Sequence, residues 1–317
     1  MTDSLSIVIP VYRSEQSLPV LMERLNGLLP TLGSQVEVIL VNDGSPDNTA
    51  QVLDRECARY PWAKAVHLMR NYGQHNALLC GIRQARYQTI LTMDDDLQNP
   101  PEYIPTLLAK LNEGYDVVYG YPETESHGFL RDLASRITKL TLQSAMGVAT
   151  ANRVSSFRAF REQVREGFCD YRGSFVSIDV LLSWSTARFS AVPVPNPPRT
   201  LGESTYTLRK LIAHAMNMMT GFSTLPLQLA SILGFVFAFF GFLVLIWVLG
   251  RYLLQGGSVP GFPFLASVLS IFSGVQLFSL GIIGEYLARM HSRTMDRPTY
   301  TIRSITGAPH AATVQRS

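Results

Sequence analysis

Between Lys210 and Arg251 the sequence contains no Asp, Glu, Lys or Arg, and between Arg251 and Glu285 again none. Gaps of that length exclude an ordinary water-facing exterior for this part of the chain. Within it, Leu229 to Val248 and Phe262 to Ile283 are each long enough to cross a hydrocarbon core, which takes about 20 helical residues, and their Phe, Leu, Ile and Val content supports that assignment. The 317-residue chain is short of charge as a whole, 16% against 47% hydrophobic residues, which suits one large domain with a membrane appendage. Cysteine is scarce. Cys57, Cys80 and Cys169 have no CxxC or metal-ligand spacing, which argues against a disulfide framework and leaves buried reduced thiols as the expectation. A strong charge of either sign is also missing, and a net charge of +3 suits anionic lipid and phosphate rather than nucleic acid. No GxGxxG follows a predicted strand and no GxxxxGK[ST] occurs, so the usual dinucleotide fingerprint and the phosphate-cradling loop are excluded. Leu5 to Pro10 is too short, and too poor in flanking basic residues, for a signal peptide, so the N-terminal part is expected to stay in the cytosol.

What the chain does contain is strands alternating with helices. Leu5 to Tyr12, Val36 to Val41, Ala65 to Leu68 and Ile90 to Met93 are apolar runs of strand length. Between them, Ser17 to Leu29 carries helical spacing with Ser17 as the expected N-cap, a helix opens at Pro46-Asp47-Asn48, and Gln74 to Ala85 forms another. This alternation predicts an α/β domain with a mostly parallel, Rossmann-like sheet wound by right-handed crossovers. Ligand sites in such sheets lie at the carboxyl ends of the strands.

Two acidic turns fall on that edge. Met93 is followed by three consecutive carboxylates, Asp94, Asp95 and Asp96, and Pro100-Pro101-Glu102 then starts a helix. Adjacent anions raise one another's pKa, so a divalent cation is the economical partner. Oxygen ligands on a short loop suit Mg²⁺ or Mn²⁺, with the remaining ligands drawn from water and substrate phosphates. In an extended turn Asp94 and Asp96 face one way and Asp95 the other. The second acidic turn, Asn42-Asp43-Gly44-Ser45, ends the preceding strand. Asp43 has two readings: an acceptor for a nucleoside, with Pro10 and Tyr12 shaping a base pocket, or an Asx-turn before Gly44.

The combination of Ile9-Pro10-Val11-Tyr12, Val41-Asn42-Asp43-Gly44-Ser45, Arg70-Asn71-Tyr72-Gly73-Gln74-His75, Asp94-Asp95-Asp96-Leu97-Gln98-Asn99 and Ser155-Ser156-Phe157-Arg158 resembles the family 2 glycosyltransferases of the GT-A fold. Within them it resembles the polyprenyl-phosphate glycosyltransferases, of the dolichyl-phosphate mannose synthase and undecaprenyl-phosphate glucosyl- or aminoarabinose-transferase types. The resemblance extends over nearly the whole chain, including Gly202-Glu203-Ser204 and Gly284-Glu285-Tyr286 at the end of the second span.

The resemblance implies a metal and diphosphate site at Asp94 and Asp96, supported by Gln98, with Asp95 on the substrate side. It implies nucleoside binding by Asp43 and the Pro10 to Glu15 segment, including Tyr12 and Glu15, with Asn71 and Ser155 as further substrate contacts. It also implies a UDP-sugar donor, a polyprenyl phosphate acceptor, the bacterial inner membrane as location, and a homo-oligomer, tetrameric in relatives. Ser156 stands where several bacterial relatives carry an Asp near the acceptor, and Thr205 where relatives often have Lys. The missing base is tolerable, because a lipid phosphate is ionised near neutral pH, with a second pKa of about 6. It needs cations instead, and Arg131, Arg136, Arg153, Arg158 and Arg199 are the candidates, since guanidinium binds phosphate bidentately.

The expected layout is a catalytic domain over residues 1–200, an interfacial amphipathic helix within 201–224, spans near 229–250 and 261–284 joined by a short hairpin, and a tail over 289–317 whose last residues, Gly307 to Ser317, are polar. Arg209 and Lys210 precede the spans, and Arg289, Arg293 and Arg297 follow them, which puts both termini in the cytoplasm. Two rivals remain: a processive polysaccharide synthase, whose Gln-x-x-Arg-Trp motif is absent, and a non-catalytic nucleotide-sugar-binding regulator of a membrane partner.

Overall fold

Ser4–Val11 (β1) is buried along almost its whole length, which is the mark of a central parallel strand covered on both faces. The computed structural model describes residues 4–33, 35–122, 153–173, 176–195, 225–255 and 261–307. The expected interfacial helix within 201–224, the Gly202-Glu203-Ser204 motif and Thr205 lie outside the described residues. The chain divides into an α/β unit, Met1–Leu211 with Asp296–Ser317, and a second unit, Ile212–Met295.

In the α/β unit, α1 (Ser17–Leu32), β2 (Gln35–Asn42), α2 (Thr49–Arg59), β3 (Ala63–Leu68), α3 (Gln74–Gln84), β4 (Thr89–Thr92), α4 (Ile104–Asn112) and β5 (Val117–Pro122) follow in turn. Then come β6 (Arg158–Arg161), short helices at Glu162–Glu166 and Ile178–Ser185, β7 (Phe189–Val194) and β8 (Ile302–Thr306). The sheet order is β7-β5-β6-β4-β1-β2-β3-β8. β3, β2, β1 and β4 are parallel, β6 runs antiparallel to both β4 and β5, and β8 is antiparallel to β3. From β1 the chain winds outward through β2 to β3, then returns to place β4 on the other side of β1. That reversal makes the crevice between the ends of β1 and β4 the topological switch point, where ligands bind in such sheets.

Pro10 is compatible with this central position. Val8 accepts from Met93 N at 3.2 Å and Val11 from Asp43 N at 3.0 Å. Alternate residues therefore face β4 and β2, and Pro10 faces the β4 side. β4 pairs with β1 only as far as Val8 opposite Thr92, so the missing N–H of Pro10 costs no ladder bond. On one face of the sheet, Leu5, Ile7, Ile9 and Val11 join Leu18, Leu21, Met22 and Leu25 of α1 in the core.

The helix α1 departs from expectation at both ends. Ser17 is its first residue rather than its cap, Gln16 holds the cap position, and the helix continues through Pro30 to Leu32. Leu29 and Leu32 are buried there. At roughly 2 kcal/mol each they outweigh a proline cost of about 3 kcal/mol. A second correction is at the C-terminus. The stretch expected to be a tail returns to the sheet as β8, with Val66 opposite Ile305 and His67 opposite Ser304.

The second unit contains two long helices, Leu225–Gln255 and Phe262–Thr294. Leu227–Val248 and Ile271–Thr294 are long and apolar enough to cross a membrane. Large apolar residues on them are mostly exposed, among them Phe235, Phe240, Leu254 and Leu277. That exposure is costly in water and favourable in lipid. Both ends of this unit join the α/β unit through the chain, at Leu211 and Asp296.

Candidate active site

The turn after β2 is held by residues with different tasks from those its sequence suggests. Asn42, not Asp43, closes the turn: its Oδ1 accepts from Ser45 N at 3.0 Å, and its Nδ2 meets His67 Nδ1 at 3.1 Å. Asp43 is 3% exposed, and its two oxygens accept from the backbone N–H groups of Tyr72 (2.7 Å) and Gly73 (2.8 Å). Burial raises its pKa, and the two N–H bonds work against that rise. Gly44 has φ +63°, and a Cβ there would meet the Arg70 backbone carbon and lie 2.7 Å from Asn71 N. The Asp-Gly pair thus exists to let the 70–73 loop lie directly against the end of β2.

That loop opens α3, whose first residue reaches the acidic turn. Gln74 Nε2 donates to Asp94 Oδ1 at 2.7 Å, and Ser156 Oγ donates to Asp94 Oδ2 at 2.7 Å. Burial raises the Asp94 pKa, with Ser156 opposing and Asp96 reinforcing the rise. Asp95 points the other way, as the alternation of the turn predicts, and its Oδ2 accepts from Ser14 Oγ behind β1. Burial pushes its pKa up to about 7. Asp96 Oδ1 accepts from Gln98 N at 3.1 Å, while Leu97 between them takes φ +62° and packs against the core. A left-handed leucine is strained. It is what lets the chain reverse while Asp96 and Gln98 both line the cleft.

The cleft is bounded by Asp94, Asp96, Gln98, Asn99, Ser155 and Ser156, with Gly120 of β5 and Pro195 beyond β7 also lining it, and its volume is about 180 Å³. Sites for whole small-molecule ligands usually run from roughly 300 Å³, so this space suits a diphosphate and its counterion rather than a complete nucleotide sugar. Among the described residues no three His, Cys, Asp or Glu side chains converge to cage a metal. Two carboxylates and an amide oxygen form a hard, incomplete donor set that fits Mg²⁺ or Mn²⁺ sharing its ligands with phosphate oxygens.

The other expected site residues are scattered. Tyr12 is 42% exposed with the Arg13 guanidinium 5.4 Å from its ring centroid, Asn71 is exposed, Glu15 is half-buried and Pro10 is buried in the sheet. Ser155 lines the cleft and its Oγ accepts from Phe157 N at 3.2 Å. Arg153 is exposed and lies 5.0 Å from the Tyr121 ring centroid. Arg131, Arg136 and Arg199 lie outside the described residues.

Arg158 requires a correction. Expected as an open guanidinium for lipid phosphate, it is 1% exposed and ion-paired with Asp179, and its Nε donates to Thr92 Oγ1 at 2.9 Å. Burial works against its charge and Asp179 more than offsets that. Gln74, Ser156, Ser14, Thr92 and Asp179 all shape the site without having been assigned a role from the sequence. Asp179 alone had a readable signal: a single carboxylate inside the apolar run Val176 to Leu182, a pattern seldom found without a buried partner.

Residues 6–168 match the glycosyl transferase family 2 profile. The chain is 38% identical over 313 residues, 98% of its length and 92% of the relative's, to the undecaprenyl-phosphate 4-deoxy-4-formamido-L-arabinose transferase of Pseudomonas paraeruginosa. It is 37% identical over 308 residues to the protein of the same name from Serratia proteamaculans, covering 95% and 94% of the two chains. Among solved structures, it is similar to glucosyl-3-phosphoglycerate synthase from Mycobacterium tuberculosis, crystallised with Mn²⁺, UDP and phosphoglyceric acid. That similarity has a TM-score of 0.53 at 17% identity, covers 69% of this chain and 76% of the other, and shows the GT-A-like fold alone. With the switch-point cleft, the Asp94 to Gln98 turn and full-length relatives of this kind, the chain belongs to the family 2 glycosyltransferases.

Proposed function

We propose that this enzyme transfers one sugar from a nucleotide-diphosphate sugar to undecaprenyl phosphate, with inversion at the anomeric carbon, on the cytoplasmic face of the bacterial inner membrane. The observation that carries the reading is similarity along 98% of the chain to transferases named for undecaprenyl phosphate, spans included. UDP is the favoured nucleotide, and 4-deoxy-4-formamido-L-arabinose, the sugar in the relatives' names, is the first donor sugar to test. The homo-oligomeric state expected from the resemblance belongs to this proposal.

The chemistry follows from charge. An oxygen of the lipid phosphate, already ionised, forms a bond to the anomeric carbon as the bond from that carbon to the diphosphate breaks, and the electron pair leaves with the diphosphate. No proton is removed from the acceptor, so Ser156 in place of a base is no obstacle. Asp94, Asp96 and Gln98 would hold Mg²⁺ or Mn²⁺, which when bound supplies positive charge to the departing diphosphate. Gln74 and Ser156 fix the Asp94 carboxylate, and Asp43 fixes the loop that carries Gln74. Arg153 is the exposed cation, among the described candidates, that can draw one anion towards another. The two apolar helices support attachment to the bilayer in which the acceptor resides, and the charge flanking them supports a cytoplasmic catalytic unit.

The test is turnover by purified full-length protein in detergent, with Mg²⁺ or Mn²⁺, undecaprenyl phosphate and a panel of nucleotide sugars, read by mass spectrometry of the organic extract. A glycosyl phospholipid from one donor supports the reading. Product formed only on a water-soluble acceptor, or a polymer, refutes it.

A further inference from the structure

Arg158 and Asp179 sit behind the cleft wall, and what they do depends on the reading of Asp94 as a metal ligand. Arg158 begins β6 directly opposite Thr92 of β4, and Asp179 lies in the first turn of the helix Ile178–Ser185. Arg158 Nη1 donates to Asp179 Oδ1, and the Tyr119 hydroxyl donates to the same oxygen at 3.1 Å. Thr92 accepts from Arg158 Nε and donates its own proton to Ser156 O at 2.7 Å, and Ser156 Oγ reaches Asp94. A guanidinium therefore stands two hydrogen-bonded residues, Thr92 and Ser156, behind Asp94. It is close enough to act on Asp94 electrostatically, yet Asp94 is hydrogen-bonded by the neutral groups of Gln74 and Ser156.

In a low-dielectric interior an unpaired guanidinium turns to the nearest anion that can take its fork. Two carboxylates are within its influence, and only one is engaged. We propose that Asp179 is a positioning residue that holds the Arg158 guanidinium off Asp94, so that Asp94 stays available to a divalent cation instead of closing an internal salt bridge. Tyr119 and the first-turn location of Asp179, where a helix favours negative charge, keep that anchor fixed.

The experiment is Mn²⁺ binding without turnover: full-length protein in detergent with UDP, titrated with Mn²⁺ and followed by the EPR signal of the free ion. Asp179→Asn keeps the shape and removes the charge, and it is expected to weaken Mn²⁺ binding roughly 10-fold or more, the usual effect of losing an outer partner. Asp179→Glu is expected to recover most of that loss. Adding Arg158→Met to Asp179→Asn is expected to restore binding as well, because the competing cation is gone. Unchanged binding in Asp179→Asn, or a double variant no better than the single one, overturns the inference. Tyr119→Phe, which removes only a hydroxyl, is the gentler variant should Asp179→Asn fail to fold. It is expected to weaken Mn²⁺ binding by a smaller factor, and no change overturns the inference equally. Wild-type protein that binds no Mn²⁺ with UDP sinks the metal reading and this inference together, whereas wild-type binding alongside an unaffected Asp179→Asn sinks this inference alone.

Discussion

Gln74 Nε2 and Asp94 Oδ1 are 2.7 Å apart across 20 residues of sequence, so the loop held by Asp43 and the acidic turn form one assembly. Gln74 is exposed, and its removal should leave stability within about 0.5 kcal/mol of wild type. Catalysis should not be spared. Gln74→Ala is expected to lower kcat/KM roughly 10-fold by freeing the Asp94 carboxylate, and Gln74→Glu to lower it further by setting a second anion against it. Steady-state kinetics beside thermal melts separate the two effects, and kcat/KM at wild-type level in Gln74→Ala would remove Gln74 from the site.

Asp43 uses both oxygens on backbone donors, which makes its isosteric amide a severe change. Asn presents one acceptor and one NH₂ group, so Asp43→Asn sets a donor against either Tyr72 N or Gly73 N. Leaving a buried donor unmatched costs about 1–3 kcal/mol, and the denaturation midpoint is expected to fall accordingly. Donor affinity should fall with it, since the loop positions Gln74. A variant with wild-type stability would show that the loop does not depend on this clamp.

The acidic turn also predicts a pH dependence. Asp95 has a pKa of about 7 in the folded protein against an ordinary 3.8, because burial outweighs its bond from Ser14. Between those values the folded state holds a proton that the unfolded chain has released. The contribution of this group to stability is therefore complete below about pH 4, declines as pH rises, and is lost above 7. In chelator, wild-type protein should lose more stability between pH 5 and pH 8 than Asp95→Asn does. Identical pH profiles for the two would show that Asp95 ionises normally.

Much of this arrangement is legible in the chain itself, and what is not has a physical reason. The mostly parallel sheet follows from the alternation of apolar runs and amphipathic helices, and the opposed directions of Asp94 and Asp95 follow from the pleat of an extended turn. β8 is not legible in the sequence because Ile302-Arg303-Ser304-Ile305-Thr306 is short and half polar, as an edge strand is, and its partner lies more than 230 residues upstream. The burial of Arg158 is not legible either, because a motif specifies a residue type and not a depth. Only the pairing of β4 with β6 reveals that its side chain goes into the sheet wall towards Asp179.

The return of the chain to the sheet makes the C-terminus part of the catalytic unit. Met69 N donates to Thr301 O at 3.0 Å, and Arg303 Nη2 donates to Met69 O at 3.2 Å, immediately before the loop that Asp43 holds. Deleting Asp296–Ser317 would leave β3 as an open edge, a template for association, and would loosen that loop. The truncated protein is expected to aggregate and to melt at lower temperature, by size exclusion and calorimetry. A monodisperse truncation with wild-type kcat/KM would make β8 dispensable.

Arg153 and Arg158 lie in one short stretch of chain and should fail in opposite ways. Arg153 is exposed, with its guanidinium over Tyr121 next to the cleft residue Pro122. If it receives the lipid phosphate, Arg153→Ala removes a charge-assisted hydrogen bond of about 1.5–3 kcal/mol. KM for undecaprenyl phosphate should then rise roughly 10-fold or more, since 1.4 kcal/mol is tenfold, while Mn²⁺ and UDP binding stay at wild-type level. Arg153→Lys should recover part of the loss, a point charge replacing a fork. Arg158→Ala instead strands a buried Asp179, and breaking such a pair costs about 3–5 kcal/mol, so its first symptom should be unfolding. A rise in donor KM with no change for the lipid would assign Arg153 to the nucleotide. A stable Arg158→Ala protein defective only towards lipid phosphate would return Arg158 to the acceptor side.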